Sequence, residues 1–198
     1  MAKLYSSILL RRLEDYILDN GILTKNQIGF IRGFRTADHI FVLKTLITKY
    51  TQNKGRLYAA FIDFKKAYDM VNRETLLENL KVYGIEGRMW DNISAIYKTV
   101  QYSIKIGDRT MDPISSNLGL KQGCPLSPIL FNLYINNISD YLVPKPDDNI
   151  TLQDNKISHF LYADDLIIVS SCKEGLQTHL DSLSQFADSK DLVTKMWG

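Results

Sequence analysis

The chain has 198 residues, 45% of them hydrophobic and 23% charged, enough for a sizeable core as one domain or one and a half. Its 24 basic and 22 acidic residues leave a formal net charge of +2, so bulk electrostatics neither demands nor excludes a nucleic-acid partner. Two cysteines, Cys124 and Cys172, exclude a disulfide framework or zinc knuckle and fit a reducing, intracellular setting, and no apolar run approaches the ~20 residues of a membrane span.

The N-terminal stretch through Arg12 predicts an amphipathic helix rather than a cleaved signal, since its apolar segment is short and lacks a small-residue cleavage site. Leu4, Ile8, Leu9, Leu13, Tyr16 and Ile17 keep helical spacing up to a stop at Asn20-Gly21. A loop through Gln27–Gly33 leads to Thr36 as an N-cap, and Ile40, Leu43, Ile47 and Tyr50 form one face of a second helix that Asn53-Lys54-Gly55 ends. Leu57 to Asp63 reads as a buried strand whose face of Leu57, Ala59, Phe61 and Asp63 would be a core row ending in a carboxylate. Asn72 caps a helix with Leu76, Leu77 and Leu80, stopped at Gly84; Met89 to Val100 mark another. Tyr102, Ile104 and Ile106 alternate into a Gly107-Asp108 turn, a hairpin signature. Ser127-Pro128 opens a helix expected to run to about Tyr141. Residues 143–156 read as a surface loop, and Leu176, Leu180, Leu183 and Ala187 as a final helix. Helices interspersed with a few strands and an antiparallel hairpin predict an α+β fold.

Chemistry concentrates in three blocks. Asp164 and Asp165 sit between two apolar runs that should pair as strands, so the acidic pair falls at the turn. Asp-Asp is also ordinary turn chemistry, yet two carboxylates beside a buried sheet are costly without a cation. Asp63, ending another apolar strand, supplies a third carboxylate. Three such groups suit a pair of Mg²⁺ ions, which prefer oxygen ligands. Two ions ~3.5–4 Å apart can serve both the attacking and the leaving oxygen of phosphoryl transfer. Between these blocks, Gly119–Asn132 combines glycines, prolines and the donors Lys121 and Gln122 in a stiff turn that feeds a helix.

Taken in order, these blocks resemble the catalytic region of reverse transcriptases of the non-LTR retrotransposon, LINE-like, type. Tyr162-Ala-Asp-Asp165 resembles the family's catalytic hairpin, and Phe61-Ile-Asp-Phe-Lys-Lys-Ala-Tyr-Asp69 its first aspartate block. Gln122-Gly-Cys-Pro-Leu-Ser-Pro128 resembles its template- and nucleotide-contacting block, and Gln27-Ile-Gly-Phe30 with Arg35–Ile40 its fingers block. The resemblance covers nearly the whole chain. It implies a right-hand polymerase palm, an antiparallel sheet backed by helices, with helical fingers: fingers over residues 1–56, palm over 57–198. It implies RNA-directed DNA synthesis with two Mg²⁺ ions on an RNA template, a DNA primer and dNTPs, with no membrane partner. Asp63, Asp164 and Asp165 match the catalytic, metal-binding aspartates, with Asp63 and Asp164 favoured as ligands of both ions. Arg32, Arg35, Phe64, Tyr68 and Gln122 match nucleotide-contacting positions, Tyr68 where an aromatic ring excludes a ribose 2′-OH.

Two departures stand out. Ile31 occupies a position where relatives carry arginine, and Asp188–Gly198 lacks the usual downstream pattern. The sequence is thus expected to hold fingers and palm with no thumb or primer grip, elements that a longer chain would supply. The competing readings are an RNA-templated RNA polymerase, which usually carries aspartate where Tyr68 stands, and a remnant that at most binds nucleic acid.

Overall fold

The computed structural model describes residues 2–52, 55–98, 100–144 and 150–197. Its helices are α1 (Ala2–Asp19), α2 (Thr36–Gln52), α3 (Ala67–Met70), α4 (Arg73–Val82), α5 (Gly87–Tyr97), α6 (Ser127–Ile135), α7 (Ile138–Tyr141) and α8 (Lys173–Ser189). Its strands are β1 (Tyr58–Phe64), β2 (Val100–Tyr102), β3 (Lys105–Ile106), β4 (Arg109–Thr110), β5 (Ile114–Ser116), β6 (Thr151–Leu152), β7 (Asn155–Lys156), β8 (His159–Tyr162), β9 (Asp165–Ser170) and β10 (Thr194–Trp197). The α+β expectation is met. The chain divides into two compact units, one of Met1–Ile22 with Tyr68–Tyr134 and one of Leu23–Ala67 with Ile135–Gly198. Among the described residues no helix is long and apolar enough to cross a membrane.

The first unit is mostly helical. Leu9, Leu13 and Ile17 of α1 are buried, while Leu4 and Ile8 on the same predicted stripe stay exposed. Asn72 caps α4 as its sequence position suggests, its side chain accepting from the Glu74 and Thr75 amides. Leu76 and Leu80 of α4, Ile93 and Tyr97 of α5, and Leu126 and Leu130 are fully buried. The segment 117–120 runs beside 68–73: Gly119 N–H donates to the Val71 carbonyl (2.9 Å) and Leu120 N–H to the Tyr68 carbonyl (2.8 Å). Gly119 has φ +86°, and a Cβ there would stand 3.1 Å from the Asp69 carbonyl oxygen, so the close approach selects glycine.

The second unit is built on a four-stranded antiparallel sheet of order β10-β1-β9-β8. Its face of Ile62, Phe64, Leu166 and Ile168 is buried, and α8 packs against β1 and β9. On the other face, Leu46 of α2 packs with Ile150, Phe160 and Val169. The start of α2 is tied by Asp38, whose carboxylate accepts from the Arg35 N–H (2.7 Å).

Several elements differ from the sequence reading. The core row of β1 is Ile62 and Phe64, whereas Phe61, on the face of Asp63, is 47% exposed; alternation showed that two faces exist but not which one is covered. The helix expected from Ser127 to Tyr141 breaks between Ile135 and Ile138. There the Asn136 side chain accepts from the Thr24 N–H (2.9 Å). The 143–156 loop contains the β6–β7 hairpin, turned through Gln153 at φ 53°; its residues 145–149 lie outside the described residues. The helix stop at Asn53-Lys54 also lies outside them. β10, which sequence patterning missed, pairs with β1 along Phe61–Phe64.

Candidate functional site

The β8–β9 hairpin turns through Ala163 and Asp164, with Tyr162 opposite Asp165. Asp165 is therefore the first residue of β9 rather than part of the tip, and it lies directly across from Asp63 of β1. Residues so paired point to one face with Cβ atoms about 4.5–5.5 Å apart, a position where two like charges repel. Asp164 is next to them on the turn. Burial raises the Asp164 carboxyl pKa above its ordinary value, and the charges of Asp165 and Asp63 push it further up, against a backbone hydrogen bond that lowers it. Asp63 and Asp165, 102 positions apart in sequence, thus share one sheet face at its open end, with Asp164 next to them on the turn.

These are hard oxygen donors, suited to a divalent cation. Among the described residues no three histidine, cysteine or acidic side chains form a ready-made metal cage.

The turn that carries Asp164 is held by a segment remote in sequence. Residues 26–28 lie alongside the edge strand β8: Ile28 N–H donates to the Leu161 carbonyl and Leu161 N–H to the Asn26 carbonyl. Gln27, 3% exposed, reaches the turn itself. Its Oε1 accepts from Ala163 N–H (2.9 Å) and Gly29 N–H (2.9 Å), and its Nε2 donates to the Ala163 carbonyl (3.2 Å). A single orientation of the amide meets all three groups. Ala163 has φ 56°, a left-handed conformation that costs a non-glycine residue roughly 1–2 kcal/mol. Gly29 is pressed against the same turn: a Cβ there would lie 2.2 Å from the Ala163 nitrogen and 2.8 Å from the Tyr162 carbonyl carbon. The sequence places Gln27 and Gly29 in the block that resembles the family's fingers, with no role for either residue at the acidic turn. The readable trace was a Gln-x-Gly in an apolar stretch, with nothing local to indicate its partner 136 residues away.

Beneath β8 lies a polar cluster. His159, 2% exposed, meets the Asn26 amide, Ser139 Oγ and Ser158 Oγ at 2.9–3.3 Å. Burial, with lesser contributions from His179 and His39, lowers its pKa to about 3, so it is neutral and structural at ordinary pH. On the open face a cavity of about 270 Å³ is lined by His39, Ile40, Leu43, Phe61, Phe160 and Asp165, among others. His39 packs edge-on to Phe160 with ring centroids 5.1 Å apart.

The other sequence-predicted residues are distributed as follows. Arg32 and Arg35 are exposed and belong to the aspartate-bearing unit. Phe64 does too, but its ring is only 2% exposed and it pairs with Thr194 of β10. Tyr68 and Gln122 belong to the other unit. Tyr68 is half-buried and stacks on Phe131, with ring centroids 4.9 Å apart and planes 26° apart. Gln122 is exposed in a turn closed by Cys124 N–H on the Lys121 carbonyl. Ser127, whose hydroxyl donates to the Lys121 carbonyl (2.7 Å) and lies 3.1 Å from Tyr97 Oη, braces that turn. Arg73, 2% exposed, donates to the Gly119 and Ser116 carbonyls from below it.

Comparison with known proteins bears on the family and the fold. The sequence model for "Reverse transcriptase (RNA-dependent DNA polymerase)" matches residues 1–196. The Pol polyprotein of a type-1 R2 retrotransposable element from Nasonia vitripennis is 28% identical over 87% of this chain, and an R2 polyprotein from Popillia japonica is 31% identical over 68%. The chain spans 17% and 22% of the lengths of these two relatives. Among solved structures, telomerase from Candida tropicalis in complex with a telomeric RNA fragment superposes with a TM-score of 0.67 at 16% identity. That match covers 94% of this chain and 33% of the telomerase, and it bears on the fold alone. The sheet with its acidic hairpin is thus a polymerase palm, and the chain belongs to the reverse transcriptase (RNA-dependent DNA polymerase) family, on its LINE-like, non-LTR retrotransposon branch.

Proposed function

We propose that this chain carries the catalytic centre of RNA-templated DNA synthesis, in which a primer 3′-hydroxyl attacks the α-phosphate of a dNTP and pyrophosphate leaves. The observation that carries the reading is the like-charge pairing of Asp63 with Asp165, with Asp164 beside them. A fold tolerates such repulsion where a cation and phosphates complete the site. Asp63, Asp164 and Asp165 would hold two Mg²⁺ ions, which when bound supply Lewis-acid charge for phosphoryl transfer. Arg32 and Arg35 would offer charge-assisted donors to the triphosphate. Phe64, next to Asp63, would lie against the nucleotide site, and Gln122 would contact the nucleotide and template base. Tyr68, stiffened by Phe131, would exclude the 2′-OH of a ribonucleotide. Its aromatic side chain supports a DNA rather than an RNA product. In this reading residues 1–56 act as fingers and 57–198 as palm.

The test is primer extension on an RNA template with Mg²⁺ and either dNTPs or NTPs. Expected are dNTP incorporation, its loss with Asp164→Ala, and a rise in ribonucleotide incorporation with Tyr68→Ala. Incorporation that persists in Asp164→Ala, or no incorporation by the unaltered chain, would overturn the reading.

A further inference from the structure

We infer that Gln27 is a positioning residue of this centre: its buried side-chain amide locks the Ala163 peptide and thereby sets where Asp164 and Asp165 stand. The role assigned to those aspartates rests on the function proposed above. The locking itself rests on geometry alone. Hairpin turns that place φ > 0 at their first central residue ordinarily use glycine there. This chain has alanine at that position, at φ 56° and 2% exposed. Both polar groups of the Ala163 peptide unit that glycine would leave to water or to neighbouring backbone are taken by one side chain, N–H at 2.9 Å and C=O at 3.2 Å. The third bond, from Gly29 N–H to the same Oε1 at 2.9 Å, fixes the amide from the opposite side. The 26–28 segment that carries Gln27 is itself hydrogen-bonded to β8 on both sides of Leu161. The rotamer, the amide plane and the supporting backbone are therefore all held, as a residue must be if it is to fix another group to a fraction of an ångström.

The consequence is specific. Losing the amide strands three buried backbone groups and frees the turn to leave its left-handed conformation. The aspartates remain chemically intact but lose their fixed placement. A residue of this kind governs turnover more than substrate binding, because arrangement at the reacting atoms is what an ~1 Å error degrades.

The test uses the full chain with Gln27→Met, which keeps the side-chain volume and removes every hydrogen bond. Amide hydrogen exchange should accelerate at least tenfold at Ala163 and Gly29, while Ile168 in the centre of β9 stays unchanged. In primer extension kcat should fall at least tenfold with KM for dNTP within twofold. Adding Ala163→Gly, which accepts the positive φ without a clamp, should restore at least half of the lost kcat at a temperature where all variants are folded. A role in stability alone would move Tm but neither kcat nor its rescue. Should Gln27→Met not fold, Gln27→Asn keeps the amide but is one methylene too short to reach both groups of the Ala163 peptide, with shifts of the same kind expected. Unchanged exchange at Ala163 overturns the clamp. Altered exchange with kcat within twofold of the parent overturns the positioning role. If the parent chain extends no primer, the functional reading fails while the exchange measurement still judges the clamp.

Discussion

Gly29→Ala is the sharpest test of how the acidic turn is held. Gly29 does not have a positive φ, so alanine meets no backbone penalty there and the effect is steric. The new Cβ would sit 2.2 Å from the Ala163 nitrogen, and ordinary contact begins at 3.4 Å. The 26–29 segment and the turn must therefore separate by the difference, about 1.2 Å. Both are backbone, and Ala163 is buried, so no flexible side chain can yield instead. Overpacking of this kind costs about 1–3 kcal/mol, and each kcal/mol lowers Tm by roughly 2–4 °C in a chain of this size. If the turn rather than the 26–29 segment gives way, Asp164 moves by nearly the same distance, and misplacement by ~1 Å can reduce turnover on the order of a hundredfold. Gly33→Ala is the control. It has φ +94° and no atom within 4 Å of the added Cβ, so it should cost roughly 1–2 kcal/mol from backbone strain without disturbing the turn. Thermal denaturation, exchange at Ala163 and primer extension on both variants separate the two. Gly29→Ala with exchange and turnover no different from Gly33→Ala would refute the reasoning.

Three further outcomes are expected. His159 has a folded pKa near 3 against an ordinary 6.5, so as pH falls the unfolded chain binds the proton first; stability is complete above about pH 6.5 and declines towards pH 3. His159→Gln should flatten that acid limb in urea melts, and an unchanged limb would show that another group controls it. Asp164 has the opposite sign: its raised pKa means the folded state holds the proton longer, so stability falls as pH rises from the ordinary carboxylate range through the folded pKa. Asp164→Asn should therefore stabilise the chain at neutral pH and abolish any Mg²⁺-dependent rise in Tm; a variant that melts lower, or still gains from Mg²⁺, contradicts this. Arg73→Met strands the buried Gly119 carbonyl and the half-buried Ser116 carbonyl, at a cost of about 1–3 kcal/mol for the first and less for the second. Arg73→Lys should recover only part of that loss, because one ammonium cannot reproduce the guanidinium fork, and full recovery by lysine would show that charge alone matters.

Local pattern was sufficient for what depends on neighbouring residues. The helix from Arg73, its Asn72 cap and the stop of α1 at Gly21 were legible because capping and periodicity act within a few positions. So was the acidic hairpin, since two apolar runs flanking a polar pair mark strand, turn and strand within a few positions. Long-range pairing was not legible. β10 is short and polar in part, and only its register against Phe61–Phe64 makes it a strand. The exposed side of β1 depended on which face α8 and the first residues of α2 would cover, a choice that alternation leaves open. The same limit hid Gln27 and Gly29. Both sit in a recognisable block, yet each acquires its structural role from a turn more than 130 residues away, because backbone hydrogen bonds and steric exclusion act only between groups that the tertiary fold has already brought together.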